Sequence, residues 1–215
     1  MGSITQLMKD VCEKKGVEIS TNAAVEKVLI KNNKAIGVML EDGSEVFADK
    51  IISNLNPKLL FKKLVDRDDV NQEYRRKILN YKCGSGTFRM NVALSELPDF
   101  NCLRGKEVSE HHKSGIIIAP SLTYMDKAFT DAKQYGWSKN PIVEMLIPST
   151  VDSSLAPEGK HVASLFCQQF APTLPDNRSW HDEKHAAADT IIETVNRFAP
   201  NFKDSILGMS MLSLL

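Results

Sequence analysis

The first 54 residues contain the pattern that most restricts the fold, which is three apolar runs separated by two turn signals. The runs cover about 24–31, 35–41 and 45–53. Asn32-Asn33 and Asp42-Gly43 lie between them, and these residue types readily adopt the positive φ that a tight hairpin turn needs. Because short turns join antiparallel neighbours, the pattern predicts a three-stranded antiparallel meander.

A helix is predicted before this meander. Ser3 followed by Gln6 has the spacing of a capping box, and Gly16 stands where a helix commonly ends. Four apolar side chains between them recur at helical spacing: Ile4, Leu7, Met8 and Val11.

The rest of the chain predicts helices and a second sheet. Asn56-Pro57 opens a helix to about residue 65, because proline is favoured at an early helical position, and a second helix covers 70–81. Strands are predicted at 86–95, 115–119, 141–148 and 161–170, and helices at 121–135 and 180–199. The predicted fold class is therefore α+β, in which a helix and meander precede a mixed sheet with flanking helices. We place the domain boundary between residues 1–55 and 56–215.

Composition excludes some partners and favours others. Lys and Arg number 27 and so do Asp and Glu, which gives no electrostatic basis for binding nucleic acid. The four cysteines are scattered without a C-x-x-C pair, as is typical of reduced thiols in a reducing, cytoplasmic setting. No apolar run reaches the roughly 18 residues of a membrane span, and peripheral contact with a membrane stays open.

The motifs of independent catalysis are missing from the sequence. Gly84-Ser85-Gly86 precedes a strand, whereas a phosphate loop follows one, and no G-x-G-x-x-G is present. His181 and His185 have metal-ligand spacing, but a solvated first helical turn explains them better and we predict no metal site. His111-His112 is predicted to be exposed. No G-x-S-x-G elbow supports a hydrolase.

The order of the segments resembles FAD-dependent oxidoreductases of the phytoene desaturase type, in the flavin-containing amine oxidoreductase superfamily. The stretches that carry this resemblance run from GVEISTNAAVEKVLI and GVMLEDGSEVFADKIISN through NPKLLFKKLV and GTFRMNVALSELPDF to PIVEMLIPSTVDSSLAPEGKHVASLFCQQFAP and NRFAPNFKDSILG. The resemblance implies a central fragment that lacks the N-terminal dinucleotide motif and the C-terminal flavin segment. It also implies that the first domain is the remnant of an FAD-binding domain and the second binds substrate.

The resemblance also implies five cofactor-binding residues. Gly2 and Ser3 match the end of a Gly-Gly motif near the flavin or substrate, and Val25 matches a residue whose backbone meets the adenine. Ser53 and Asn54 match a loop near the pyrophosphate. Local roles are the alternative: chain flexibility for Gly2, packing for Val25 and a helix cap for Asn54. FAD is the implied cofactor of the full-length protein and is not expected on this fragment.

A lipophilic substrate is implied for the second domain. Alternate residues on neighbouring strands point to one face, which predicts an apolar groove. Its lining is predicted to be Phe88, Met90, Met145, Ile147, Phe166 and Gln168. Ordinary core packing is the alternative for these side chains.

The implied activity is desaturation or oxidation of an isoprenoid- or carotenoid-like substrate by hydride transfer to flavin, with catalytic residues unassigned. The alternative is a non-enzymatic lipid-binding or prenyl-protein escort protein of the same architecture. Truncation should leave apolar surface uncovered at Ile4, Val28, Ile51 and residues 209–215, which predicts self-association.

Overall fold

The computed structural model describes residues 2–82, 86–105 and 107–213. Contacts between Cα atoms divide the chain into two units, Met1–Lys82 and Cys83–Leu215. Helices and antiparallel sheets occur in the predicted order, which confirms the α+β class.

The first unit begins with helix α1, Gly2–Lys14, which ends before Gly16 at a φ of +83°. The predicted capping box is wrong, because Ser3 lies inside the helix and Gln6 Nε2 donates to Asp10 Oδ1 at 3.1 Å. No residue of α1 is buried, and its apolar stripe is exposed.

The meander follows as predicted. Its strands are β1 (Val25–Lys31), β2 (Lys34–Leu40) and β3 (Glu45–Phe47), paired antiparallel in that order. Asn32 and Asn33 have φ values of 53° and 59°, and Gly43 has 83°, so both turn signals act as expected. Strand β3 is shorter than the predicted 45–53, because its backbone pairing ends where Ala48 N–H donates to Ile36 O at 3.0 Å.

Two helical segments complete the first unit. Asn56 caps α2 (Pro57–Leu59), which continues as a π-helical turn over Leu60–Leu64, and α3 covers Gln72–Leu79. The buried side chains of Val28, Leu64 and Val65 join this turn to the meander. The first unit therefore extends to Lys82, whereas we placed the boundary between functional domains after residue 55. This division says nothing of what each part binds, and those domain roles stay predictions.

The second unit is built on a five-stranded sheet in the order β5-β6-β7-β4-β8. Its strands are β4 (Gly86–Leu94), β5 (Ile116–Ile118), β6 (Trp137–Leu146), β7 (His161–Phe170) and β8 (Ile206–Leu212). Every pairing among them is antiparallel, whereas a mixed sheet was predicted. Strand β8, an edge strand beside β4, was not predicted at all.

Three helices accompany this sheet: α4 (Leu122–Tyr135), α5 (Trp180–Phe198) and the short α6 (Phe202–Ser205). Ser121 and Ser179 cap α4 and α5 by accepting backbone N–H groups, and Gly136 ends α4 at a φ of +97°. One sheet face packs on α5, where Phe88 lies 5.8 Å from the Trp180 ring. No helix in the described part of the chain combines the length and apolar composition needed to cross a bilayer.

Candidate functional site

The first unit contains a groove of about 470 Å³ beside the meander, here called the meander groove. Three of the five residues predicted to bind cofactor line it: Val25, Ser53 and Asn54. Its other walls are mainly apolar, with Lys63 at one side. A flat apolar group in this groove would therefore meet apolar walls, two polar side chains and one cation.

Local hydrogen bonds shape the loop on which Ser53 and Asn54 lie. Ser53 Oγ accepts from Leu55 N–H at 3.3 Å, and Asn56 Oδ1 accepts from Lys58 N–H at 2.9 Å. The cap of α2 is thus Asn56, and the alternative in which Asn54 caps this helix is wrong.

Gly2 and Ser3 lie at the exposed start of α1 and do not line this groove. Gly2 O accepts from Thr5 Oγ1 at 2.8 Å, a bond within the helix. The structure brings three of the five predicted cofactor residues together, and whether any of the five touches FAD stays a prediction.

In the second unit, the sheet face opposite α5 is covered at Ile142, which is buried, and uncovered around Phe166; this uncovered part is here called the open face. Across it, Glu144 on β6 pairs with Phe166 on β7, Phe166 pairs with Arg89 on β4, and Arg89 pairs with Leu212 on β8. Phe166 is 39% exposed, and Leu212 is 59% exposed. An aromatic ring thus lies between an acid and a base in one row across four strands.

Two hydrogen bonds join polar groups of this row to side chains on neighbouring strands. Arg89 Nη2 donates to Ser164 Oγ at 3.1 Å, and Gln168 Nε2 donates to Glu144 Oε1. Arg89 is exposed and has further N–H donors, so the row offers another molecule both apolar side chains and a cation. Burial, and secondly the Glu144 charge, raises the pKa of the Cys167 thiol, which lies on the opposite, core-facing side of β7.

The six residues predicted to line one apolar groove do not share a face. Four are buried in the core on the α5 side: Phe88, Met90, Met145 and Ile147. Phe166 and Gln168 alternate along β7 with the core-facing residues Leu165 and Cys167, and therefore lie on the opposite sheet face. The predicted single groove is therefore wrong. The prediction fails because of the strand register. Phe88 pairs with Cys167, so Phe88 shares the face of Cys167 and lies on the face opposite Phe166.

Arg89 and Glu144 were missed from the sequence. In GTFRMNVAL, Arg89 stands between the buried residues Phe88 and Met90, so period-2 alternation alone assigns it to the opposite face. That signal was present, but it did not show which of the two faces is covered.

The histidine prediction needs correction. His112 is completely buried, whereas it was expected to be exposed. Its Nδ1 accepts from Ser109 N–H at 3.2 Å and its Nε2 lies 3.0 Å from Pro98 O, so both ring nitrogens are used.

His181 and His185 are exposed on α5, and no cluster of three metal-ligating side chains occurs in residues 2–82, 86–105 and 107–213. Gly84 and Ser85 lie outside the described residues.

Some, but not all, of the residues predicted to form uncovered apolar surface are exposed. Ile4 is 61% exposed and Met209 44% exposed, but Val28 is buried in the cluster with Leu64, and Ile51 is half-buried. Residues 214–215 lie outside the description. Self-association stays a prediction.

Two solved structures have a similar fold. The fold matches an oxidoreductase from Methanosarcina mazei with a TM-score of 0.65, over 95% of this chain and 40% of that one, at 19% identity. It matches the PF1083 protein from Pyrococcus furiosus with a TM-score of 0.59, over 96% and 41%, at 16% identity. The chain thus shares the fold of the matching part of these two structures.

Relatives in sequence are more specific. The chain is 31% identical over 219 residues to a mouse pyridine nucleotide-disulfide oxidoreductase domain-containing protein 2, covering 99% of this chain and 38% of that protein. A prolycopene isomerase from an Oncidium hybrid cultivar is 28% identical over 96% of this chain and 32% of its own length. The zeta-carotene-forming phytoene desaturase of Myxococcus xanthus is 24% identical over 74% and 28%.

No family model matches the sequence. The relatives nevertheless confirm the resemblance: the chain is related, over nearly its whole length, to the FAD-dependent oxidoreductase superfamily that includes the phytoene desaturases. It spans 38% of the length of the mouse relative.

Proposed function

We propose that this chain is part of an FAD-dependent oxidoreductase that desaturates or oxidises a lipophilic, isoprenoid- or carotenoid-like substrate. The observation that carries the proposal is the open face of the second unit. A sheet buried on both sides would present apolar side chains to helices on each face, but here Phe166 and Leu212 are exposed on a regular strand platform. Exposed apolar side chains on one sheet face are typical of a surface that another apolar molecule covers.

The chemistry of the row fits a long, uncharged substrate. Phe166 offers an aromatic surface, while Arg89 and Glu144 on either side of it are hydrogen-bonded to Ser164 and Gln168. Two relatives whose names refer to carotenoid chemistry, a prolycopene isomerase and a phytoene desaturase, support this substrate class. We extend the proposal to the second domain as a whole, residues 56–215, as the substrate-binding part.

The meander groove fits one portion of FAD. Its volume of about 470 Å³ and its apolar walls with Ser53 and Asn54 suit an adenine-sized group. The sequence has no Gly-rich strand-turn-helix for the phosphates, so the chain's own residues account for only part of a dinucleotide site. We propose that Val25, Ser53 and Asn54 hold that part. When bound, FAD would accept the hydride from substrate carbon, while a proton leaves the adjacent carbon and a double bond forms.

The role of this chain's residues is then to bind and to exclude water. The open face would hold the substrate chain extended along the strands, with Phe166 as a stacking surface. We include peripheral membrane contact in the proposal, because substrates of this class are found in bilayers. The rival is a lipid-binding or escort protein with the same architecture and no turnover.

The test uses the full-length protein, purified with its natural complement of flavin. Phytoene or prolycopene in liposomes is added without oxygen, and bleaching of the flavin absorbance is followed. We expect bleaching, and we expect Phe166→Ala to raise the substrate concentration for half-maximal bleaching rate by roughly three- to eightfold, since only the exposed 39% of the side chain can contact substrate. Phe129→Ala is the matched control, because Phe129 is 43% exposed and lies on α4; its half-maximal substrate concentration should stay within about twofold of wild type.

The outcomes separate the two functions. A protein that binds these lipids but holds no FAD, or whose flavin is bleached by neither lipid nor by a total isoprenoid extract, is of the escort type and the enzymatic proposal is wrong. Equal effects of the two phenylalanine substitutions would remove the open face from substrate binding.

A further inference from the structure

A second cavity of about 470 Å³ lies at the β5 edge of the second unit, where Ile117, one of its lining residues, pairs with Glu144. Its walls are mainly apolar and include Phe100, Leu103, Ile116, Ile118 and Phe198, with His111 among them. We call it the histidine pocket. Its size falls within the range of small-molecule sites, about 300–1,000 Å³.

One polar atom of this pocket has no partner. His111 Nε2 is buried, and no hydrogen bond to it is formed by any residue within the described ranges. A buried polar atom without a partner is unfavourable and uncommon in folded proteins. Either a ligand or a water pairs with such an atom, and the apolar walls around it favour a ligand that is itself mostly apolar.

The His111 ring is held in place before any ligand arrives. It contacts the His112 ring at a tilt of 42°, with ring centroids 3.9 Å apart, and lies edge-on to Phe100 at 6.1 Å. His112 is in turn fixed by Ser109 and by Pro98 O, and its own carbonyl accepts from Thr150 Oγ1 at 3.0 Å. A polar group held in this way loses little side-chain entropy on binding, so its hydrogen bond contributes more fully to affinity.

The charge state of His111 limits the ligand further. Burial, and secondly the neighbouring His112 imidazole, lowers the pKa of His111 below its ordinary value, so the ring is neutral at pH 7. A neutral imidazole pairs with a neutral hydroxyl or carbonyl and gives no preference for a carboxylate or phosphate.

We infer that the histidine pocket is a binding site for a small, neutral, mostly apolar molecule with a single oxygen function, and that His111 Nε2 is its one hydrogen-bonding partner. Alcohols, phenols, aldehydes and ketones share this chemistry. The inference does not depend on the proposed oxidoreductase function.

The test compares two probes of the same shape, 2-naphthol and 2-methylnaphthalene, which differ in one hydroxyl group. Binding to the 215-residue chain is measured by ligand-observed NMR titration. We expect wild type to bind 2-naphthol roughly two- to tenfold more tightly, the contribution of one neutral hydrogen bond. His111→Phe should bind the two probes equally, and Ala119→Trp, which fills the pocket from its lining, should bind neither.

His185→Gln is the matched control, since His185 is exposed on α5, and it should keep the wild-type preference. His111→Phe should melt at the same or a higher temperature, because it removes an unpaired polar atom while keeping the ring. As a second measurement, nitrogen NMR of the histidine side chains in wild type should shift at His111 Nε2 with 2-naphthol and not with 2-methylnaphthalene.

Three results would overturn the inference: equal affinity of wild type for the two probes, a hydroxyl preference that survives in His111→Phe, or binding that survives in Ala119→Trp. Failure of wild type to bind either probe would overturn it as well. None of these results bears on flavin reduction by the full-length protein.

Discussion

Two phenylalanines on neighbouring strands of the second unit lie on opposite faces of its sheet, so truncating each should have very different effects. Phe88 on β4 is fully buried, with ring centroids 5.4 Å from Phe170 and 5.8 Å from Trp180. Phe166 on β7 is 39% exposed on the open face. The two substitutions to alanine delete the same atoms, so any difference reports the environment.

The magnitudes follow from burial. Phe88→Ala leaves a cavity enclosed by aromatic rings, and such truncations cost about 3–5 kcal/mol. Phe166→Ala removes a ring that solvent already reaches, so water fills the space; about six-tenths of the 1.5–3 kcal/mol for burying a large apolar side chain gives roughly 1–2 kcal/mol. The expected difference is therefore roughly 1–4 kcal/mol.

Urea unfolding followed by tryptophan fluorescence measures this difference. Both tryptophans of the chain, Trp137 and Trp180, belong to the second unit, so the signal reports that unit and not the first. With a urea m-value of about 2 kcal/mol per M, the midpoint should fall by roughly 1.5–2.5 M for Phe88→Ala and by roughly 0.5–1 M for Phe166→Ala. Equal shifts at unchanged m-value would refute the assignment of the two residues to a covered and an open face.

Three further predictions use other parts of the chain. Gly136→Ala should destabilise the second unit by roughly 2–3 kcal/mol in the same assay, because φ is +97° and a new Cβ would lie 2.5 Å from Leu174 Cδ2. The control Gly159→Ala, at a φ of +70° in open space, should cost only about 1 kcal/mol. Equal costs would contradict the packing at Gly136. Burial, and secondly a neighbouring carboxylate, raises the pKa of Cys167, so in the folded chain at pH 8 iodoacetamide should modify the exposed Cys102 and leave Cys167 untouched, as peptide mass spectrometry would show; early labelling of Cys167 would contradict its burial. The 215-residue chain should not quench flavin fluorescence on titration with FAD, since a partial site must offset about 4–15 kcal/mol of lost freedom, and stoichiometric micromolar quenching would refute this account of the phosphate site.

Local chemistry made several elements readable from the sequence. Ser121 accepts from Tyr124 N–H at 3.1 Å and Gly136 ends the same helix, so both boundaries of α4 depend on residues within the helix or beside it. The turn at Asn32-Asn33 is equally local. Such features can be predicted because the interactions that fix them lie within a few residues of one another.

Features set by distant partners could not be read in this way. The alternation along β4 and β7 was visible in the sequence. The register that aligns Phe88 with Cys167 depends on two strands that are far apart in the chain; Arg89 and Ser164, for example, are 75 residues apart. The open face and the failure of the single predicted groove both follow from that register. His112 is similar: its burial depends on Pro98 O in a distant part of the loop, and no periodic pattern marks it.

The candidate cofactor residues also fall into two groups: those that the structure brings together in one groove and those that it does not. Val25, Ser53 and Asn54 lie in one groove because the meander and the α2 turn pack together, which the order of segments indicated. Gly2 and Ser3 were assigned from the resemblance alone, and the described residues give them only helical contacts.

The order of strands in the second sheet has a consequence for synthesis. Strand β4, the first of the unit to leave the ribosome, pairs on one side with β7 and on the other with β8, which ends roughly 120 residues later. At about 5–20 residues per second, β4 would wait roughly 6–24 seconds for its last partner. During that interval both of its backbone edges and its apolar face are open to other chains. Nascent chains of this protein should therefore depend on chaperones, and mutations that slow translation after β4 should lower the yield of folded protein without changing its final stability.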